Sequence, residues 1–220
     1  DIQQSGVNIV LIQEIEAGRA TSFGVDEPLW LARRLGMQVD FFPTLEGIHG
    51  LAVLSNIRIA YADGELLPST GAQTGVQRVQ ITPGGDTVIT VYNTWLSPLL
   101  EINGDDTLPE QEQDQNRQLD ALFGVVAAHH PNGLLGRTVI GGTFHNIPDS
   151  DLLQQMRIAG FIDPFAGFPL ERGATFIRVG QPRARFDYLW LRNLPLGEGV
   201  NVSDVVASDH RLAFAAVMLR

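Results

Sequence analysis

The sequence predicts one α/β domain in which two β-sheets pack face to face and helices cover the outside. Short apolar stretches with strand character outnumber the amphipathic helical ones. Turn signals such as Pro83-Gly84-Gly85-Asp86 separate consecutive strands as in hairpins. With 220 residues, 44% of them hydrophobic, the chain is long enough to build a substantial core. Many strands, few helices and long loops therefore favour two packed sheets over a helical bundle.

Four stretches have helical character, and their ends carry recognisable caps. Gly6 and Gly36 suit helix C-termini, because glycine readily adopts the left-handed conformation there. Asp149 or Ser150 can cap the N-terminus of the last helix. The acidic stretch 101–112 is predicted to be an exposed loop. The predicted helical segments are residues 1–6, 27–35, 113–128 and 150–159.

The predicted strands are mostly short apolar or alternating runs. Residues 76–81 alternate apolar and polar side chains, and the turn at 83–86 predicts that they pair with residues 87–93 as a hairpin. The strand order cannot be derived from these patterns. The predicted strands are residues 7–12, 38–42, 51–55, 57–61, 76–81, 87–93, 138–141, 175–179, 186–191 and 212–219.

Composition excludes several classes of function. The net charge is −10, whereas proteins that bind duplex DNA non-specifically need a basic surface to displace counterions. All fifteen basic residues are Arg. The chain has no cysteine, which excludes disulfides, thiolate zinc sites and a cysteine nucleophile. No stretch approaches the roughly 20 apolar residues of a membrane helix.

Several segments, in order along the chain, resemble motifs of the endonuclease/exonuclease/phosphatase superfamily, whose members have the deoxyribonuclease-I-like fold. Each motif alone is weak, but their conjunction in the right order is specific. The resemblance implies a four-layer α/β sandwich of two mainly antiparallel sheets with helices outside. The segments are Ile9 to Glu14 ending in Gln-Glu, His49 to Ser55, Val91 to Leu96, Gly141 to Asn146, Arg185 to Tyr188 and Ser208 to Arg211.

The resemblance implies metal-dependent hydrolysis of phosphoesters with Mg²⁺ or Mn²⁺. Glu14 matches the main metal-ligating carboxylate, and Asp209 matches a carboxylate that pairs with a histidine or reaches the metal. His210 matches a histidine that contacts the scissile phosphate or orients the nucleophile. Asp187 matches a supporting carboxylate, although a buried Asp bonded to neighbouring backbone is an equally good interpretation.

Three positions depart from the family pattern. Thr143 replaces the Asp that orients or deprotonates the attacking water, and a hydroxyl is far too weak a base for that task. His145 replaces an Asn that helps to orient nucleophile and phosphate. Trp95 replaces a cleft His, and an indole can only donate a hydrogen bond. Asn93 and Asn146, from the same segments, are the candidate phosphate- or substrate-binding residues.

A fourth departure is the absence of the family's first strand, which should precede Asp1. We expect either that this chain is part of a longer protein or that another segment or chain completes the sheet. A missing central strand would leave buried backbone donors and acceptors unpaired, which is costly.

Three functions remain open from the sequence. The first is a domain with weakened or lost catalysis that still binds a ligand. The second is an active hydrolase of a small phosphoester or lipid headgroup, in which His145 replaces the missing base or ligates a metal such as manganese or zinc. The third is a non-catalytic part of a larger membrane or envelope protein. The compartment is not determined by the sequence.

Overall fold

A computed structural model describes residues 2–98, 101–102, 106–107, 109–204 and 208–219 of the chain. Strands dominate the described residues, as the sequence predicted. The helices are α1 Ile2–Ser5, α2 Glu27–Leu35, α3 Pro109–His129, α4 Asp151–Ile158 and α5 Leu170–Gly173. The strands are β1 Ile9–Glu16, β2 Gln38–Leu45, β3 His49–Ser55, β4 Arg58–Leu66, β5 Gly75–Gly84, β6 Thr87–Trp95, β7 Glu101–Ile102, β8 Asp106–Thr107, β9 Arg137–Thr143, β10 Phe176–Arg178, β11 Gln181–Ala184, β12 Asp187–Arg192, β13 Leu196–Val202 and β14 Ala213–Val217.

The first sheet is three-stranded and antiparallel, with the order β1-β3-β2. Its central strand β3 is buried along nearly its whole length. Helix α2 covers the outer face of this sheet, where Ala32 packs with Val10 and Leu54. The helix begins at the Asp26 cap and ends at Gly36 in the left-handed conformation, as its sequence predicted.

The second sheet has the strand order β12-β9-β6-β5-β4. Strands β6 and β9 run parallel, and the other neighbours are antiparallel. Helices α3 and α4 cover its outer face through a buried apolar cluster. That cluster includes Tyr92, Ile140, Trp190, Leu119, Leu122, Leu153 and Met156.

The two sheets pack against each other through a second apolar cluster. Val53 of β3 meets Val79 of β5, Val91 of β6 and Leu191 of β12 there, and all four are buried. The layers therefore run helix, sheet, sheet, helix, which confirms the predicted four-layer sandwich. The hairpins β10–β11 and β13–β14 lie outside these two sheets. In the described ranges, no helix combines the length and apolarity needed to span a bilayer.

The predicted elements agree with the observed ones except at their ends and in the later part of the chain. Helix α2 has the predicted bounds, and the β5–β6 hairpin is confirmed. The sequence did not identify strands β11 and β13, which are short of large apolar side chains. The predicted loop 101–112 lies partly outside the described residues. The prediction of a loop is wrong for residues 109–112, because α3 begins at Pro109. Proline is favourable in the first turn of a helix.

A buried amide joins the two sheets. Asn93 of β6 is fully buried, and its Nδ2 donates to the carbonyl oxygens of Ile12 at 3.0 Å and Ala52 at 3.1 Å. Its Oδ1 accepts a hydrogen bond of 2.7 Å from Gln13 Nε2. One side chain of the five-stranded sheet thus satisfies backbone groups of two strands in the other sheet.

We expect Asn93→Ala to lower the free energy of unfolding by about 2–4 kcal/mol, because it removes three hydrogen bonds between the sheets and leaves Gln13 Nε2 without its acceptor. Urea denaturation measures this change. The control is Asn8→Ala, which removes an exposed amide hydrogen bond to Asn56 and should change stability by only about 0.5 kcal/mol. Equal effects of the two substitutions would contradict the structural role of Asn93.

Candidate active site

Residues from distant parts of the chain meet at one end of the sandwich. Trp95 ends β6 and Thr143 ends β9, and the two are register partners in the parallel pair. Asp187 begins the antiparallel neighbour β12 opposite Thr143. His210 reaches the same end through a bridge to Phe176. Parallel pairing of β6 with β9 is therefore what brings these side chains to a common edge.

Asp187 and His210 form a hydrogen-bonded pair in which His210 Nδ1 lies 2.6 Å from Asp187 Oδ2. Burial of His210 acts to lower its pKa, but the hydrogen bond and charge of Asp187 dominate and hold that pKa above its usual value. Burial likewise acts to raise the pKa of Asp187, yet His210 and Thr143 keep it below its usual range. The pair is therefore a carboxylate and an imidazolium at mildly acidic pH.

Thr143 is buried and bound to this pair. Its Oγ1 donates to Asp187 Oδ1 at 2.6 Å, and it lies 3.4 Å from Gln13 Oε1. A hydroxyl has one proton, so the shorter bond to Asp187 takes it. Thr143 thus supports the carboxylate of Asp187 and has no means of deprotonating a water molecule.

His145 adopts a left-handed conformation with φ of 47° directly after the β9 segment. Its Nδ1 lies 2.7 Å from the carbonyl oxygen of Leu96, which can only accept, so Nδ1 carries the proton. Burial lowers the pKa of His145. The ring is therefore neutral near pH 7, and its Nε2 keeps a free lone pair. The ring packs edge-on to Trp95 and His210, with centroids 5.5 and 6.4 Å away.

Glu14 lies at a β-bulge in β1, where the pairing register shifts between Ile12 and Ile15. Its φ of 55° turns the backbone at the point where the side chain leaves the strand. Burial raises the pKa of the Glu14 carboxyl, while His49 and His210 act in the opposite direction and Asp209 reinforces the rise. Glu14, His210 and Asp209 are thus within electrostatic range of one another.

Trp95 is 7% exposed, and its ring packs against His145 at this end of the sandwich. The indole Nε1 is buried and acts on the Glu14 carboxyl as a hydrogen-bond donor, which lowers the Glu14 pKa. This donor therefore lies beside the carboxyl.

The remaining predicted site residues form no hydrogen bond with the Asp187–His210 pair or with Thr143. Asp209 is exposed, and its Oδ1 accepts from Ser208 Oγ at 3.1 Å. Asn93 is in the core between the sheets, with no surface for a substrate. Asn146 donates to Gln115 Oε1 at 2.9 Å, which ties its amide to helix α3. Within the described ranges, no group of three or more ligating side chains is arranged to hold a metal ion.

Sequence reasoning did not single out five residues that shape the site. Gln13 contacts Thr143, and His49 opposes the rise in the Glu14 pKa that burial causes. Thr175 Oγ1 accepts from the backbone N–H of Asp187 at 3.0 Å. Phe176 and Phe186 stack on each other beside His210 and His145. Gln13 and His49 belong to matched motifs and could have been found there, whereas the two Phe rings meet only in the tertiary structure.

Comparison with known proteins rests on structure, because neither a protein-family profile nor a curated protein matches the sequence. A functionally unknown conserved protein from Enterococcus faecalis V583 superposes with a TM-score of 0.75 at 15% identity, covering 99% of this chain and 87% of that one. The human Nocturnin catalytic domain, solved with a bound sulfate anion, gives 0.68 at 16% identity, covering 99% and 83%. An endonuclease/exonuclease/phosphatase from Beutenbergia cavernae gives 0.66 at 17% identity, and this chain spans 62% of its length.

The fold and the site thus define the class of this protein as a four-layer α/β sandwich with a polar site at one end of its strands. The chain has the fold of the endonuclease/exonuclease/phosphatase superfamily, as its motifs indicated.

The Asp187–His210 pair should contribute to stability mainly between about pH 3.8 and 6.5, the ordinary pKa values of the two groups. The stabilisation from His210 is fully present below pH 6.5 and is lost as the pH rises through the raised pKa of His210. The stabilisation from Asp187 is fully present above pH 3.8 and is lost as the pH falls through the lowered pKa of Asp187. We expect Asp187→Asn to destabilise the fold most within this window and to lower the His210 pKa. Urea denaturation and ¹H NMR titration measure both effects. A pH-independent difference in stability, or an unchanged His210 pKa, would argue against the pair.

Proposed function

We propose that this chain is a phosphoester-binding domain of the endonuclease/exonuclease/phosphatase fold with weakened or lost hydrolytic activity. One observation carries the proposal: the position of the water-activating carboxylate holds Thr143, whose proton is committed to Asp187. Asp187 is itself bound to His210 and is not available as a replacement. A positioned general base typically contributes about 10²- to 10⁴-fold to rate, so its loss is severe.

The groups that remain are suited to binding an anion. Burial opposes a charge on His210, but Asp187 raises its pKa and favours the imidazolium. An imidazolium N–H is a donor of the kind that phosphate oxygens accept. The net charge of −10 favours a small phosphoester or a lipid headgroup over duplex DNA. The sulfate in the Nocturnin domain is a precedent for an oxyanion in this fold.

A divalent metal is compatible with the acidic side of the site. Glu14 and Asp209 interact electrostatically and provide two carboxylates, which is sufficient for Mg²⁺ or Mn²⁺ because such ions retain several waters. A bound ion would polarise a phosphoryl oxygen. The chain's own residues supply the rest: His210 donates to the phosphate, and Asp187 keeps the imidazole oriented.

Restoring the family residues tests the proposal. We expect the triple variant Thr143→Asp, His145→Asn, Trp95→His to hydrolyse bis(p-nitrophenyl) phosphate with Mg²⁺ about 10²- to 10⁴-fold faster than the parent chain. Adding Glu14→Ala to the triple variant should abolish the gain. Parent turnover that survives repurification, vanishes in Glu14→Ala and matches the triple variant would overturn the proposal.

A second function is an active hydrolase with a rewired site, and one observation favours it. His145 is neutral, is oriented by its Nδ1–H bond to Leu96, and offers Nε2 as a base or a metal ligand. Its ring neighbours His210, so a water molecule between them would contact a base and a cationic donor. Imidazole is also a better ligand for manganese than for magnesium.

For this second function we expect His145→Ala to lower kcat/KM with Mn²⁺ by about 10²- to 10⁴-fold. The pH–rate profile of the parent should fall only below pH 6.5, because burial lowers the pKa of the base from that value. His130→Ala is the control, since burial also lowers the pKa of His130 at the far end of α3. Equal activity of the parent and both variants would exclude His145 as the base.

A further inference from the structure

A buried amide of helix α3 joins the two segments that leave the candidate site. Gln115 is 1% exposed. Its Nε2 donates to the carbonyl oxygens of Ser97 at 2.7 Å, Phe144 at 3.2 Å and His145 at 3.3 Å. Its Oε1 accepts a hydrogen bond of 2.9 Å from Asn146 Nδ2. One side chain thus contacts both the chain that follows β6 and the chain that follows β9.

The two segments are neighbours because β6 and β9 run parallel. Both strands end at the same edge, where Trp95 is the register partner of Thr143. Leu96 N–H donates to the Thr143 carbonyl oxygen at 2.9 Å, which extends this pairing beyond the strands. The Leu96 carbonyl oxygen lies 2.7 Å from His145 Nδ1. The orientation of the His145 ring therefore depends on how the two strand ends lie relative to each other, and Gln115 connects them.

The backbone of His145 has a conformation that needs support. Its φ of 47° is uncommon for a residue other than glycine. Such a conformation costs free energy and persists where neighbouring contacts determine it. The preceding residue is held by its N–H, since Phe144 donates to the Phe186 carbonyl oxygen at 2.8 Å. The carbonyl group of His145 itself is held by Gln115.

The position of Gln115 on α3 would otherwise suit an apolar side chain. Leu119 lies four residues later, on the same face of the helix, and is fully buried in the apolar cluster against the five-stranded sheet. A buried amide costs free energy unless it is hydrogen-bonded. The bonds of this amide go to the backbone beside the site, so the polar side chain acts there.

We propose that Gln115 is a positioning residue for His145. By holding the carbonyl groups of Ser97 and of residues 144 and 145, it keeps the Leu96 carbonyl oxygen within reach of His145 Nδ1. The proton is thereby fixed on Nδ1, and Nε2 keeps its lone pair. The consequence for catalysis rests on the second function proposed above, in which His145 is a base or a metal ligand, whereas the positioning of the ring does not.

The matched variants Gln115→Met and Gln118→Met separate positioning from stability. Methionine is an unbranched side chain like glutamine but has no N–H group. Gln118 is fully buried and also holds Ser97, since its Oε1 accepts from Ser97 N–H at 2.9 Å and its Nε2 donates to Ser97 Oγ at 2.7 Å. Its other hydrogen bond within the described ranges goes to Ser69, away from residues 144–146. We expect the two variants to lower the urea midpoint by similar amounts.

The tautomer of His145 is the readout that a purely structural role would leave unchanged. Imidazole ¹⁵N chemical shifts are measured at about pH 8, where His145 is neutral because burial lowers its pKa from 6.5. We expect Nδ1–H alone in the parent and in Gln118→Met, and a mixture of both tautomers in Gln115→Met. The parent tautomer in Gln115→Met, or the same mixture in both variants, overturns the proposal.

A second variant covers the case in which Gln115→Met does not fold. Gln115→Asn keeps a buried amide but is one methylene group shorter, so it is too short to span the two segments. We expect this variant to show the same mixture of His145 tautomers. Retention of Nδ1–H alone would again contradict the positioning role.

Kinetics with Mn²⁺ and bis(p-nitrophenyl) phosphate connect the positioning to catalysis. We expect Gln115→Met to lower kcat/KM by about 10- to 10²-fold, and to cause no further loss in a His145→Ala background, because the two residues act as one unit. A further loss in that background overturns the assignment. A parent chain without turnover counts against the second function alone, because the tautomer of His145 still tests the positioning by Gln115.

Discussion

The buried amide of Asn93 is the interaction on which the rest of the structure depends. It satisfies backbone carbonyls of β1 and β3 from β6, so it fixes how the two sheets face each other. The same amide holds Gln13 at the start of the β1 bulge, and Gln13 contacts Thr143. Core packing and the geometry of the site are thus coupled through side chains in direct contact.

In the function proposed above, the site lacks a base but keeps its charge arrangement. Thr143 donates to Asp187, Asp187 holds His210 protonated, and Glu14 remains at the bulge that directs it outward. A hydroxyl in place of a carboxylate beside Asp187 also removes a like-charge repulsion. In that proposal, the Thr143 hydroxyl stabilises the pair that would bind an anion but cannot activate water.

The sequence by itself determined the layer architecture, the bounds of α2 and the β5–β6 hairpin, because apolar periodicity, caps and motifs are local signals. It could not place Asn93 in the core or Asn146 against α3, since both depend on which strands become neighbours. Nor could it pair His210 with Asp187 and leave Asp209 exposed. Those outcomes follow from the parallel pairing of β6 with β9 and from burial, which only the tertiary structure decided.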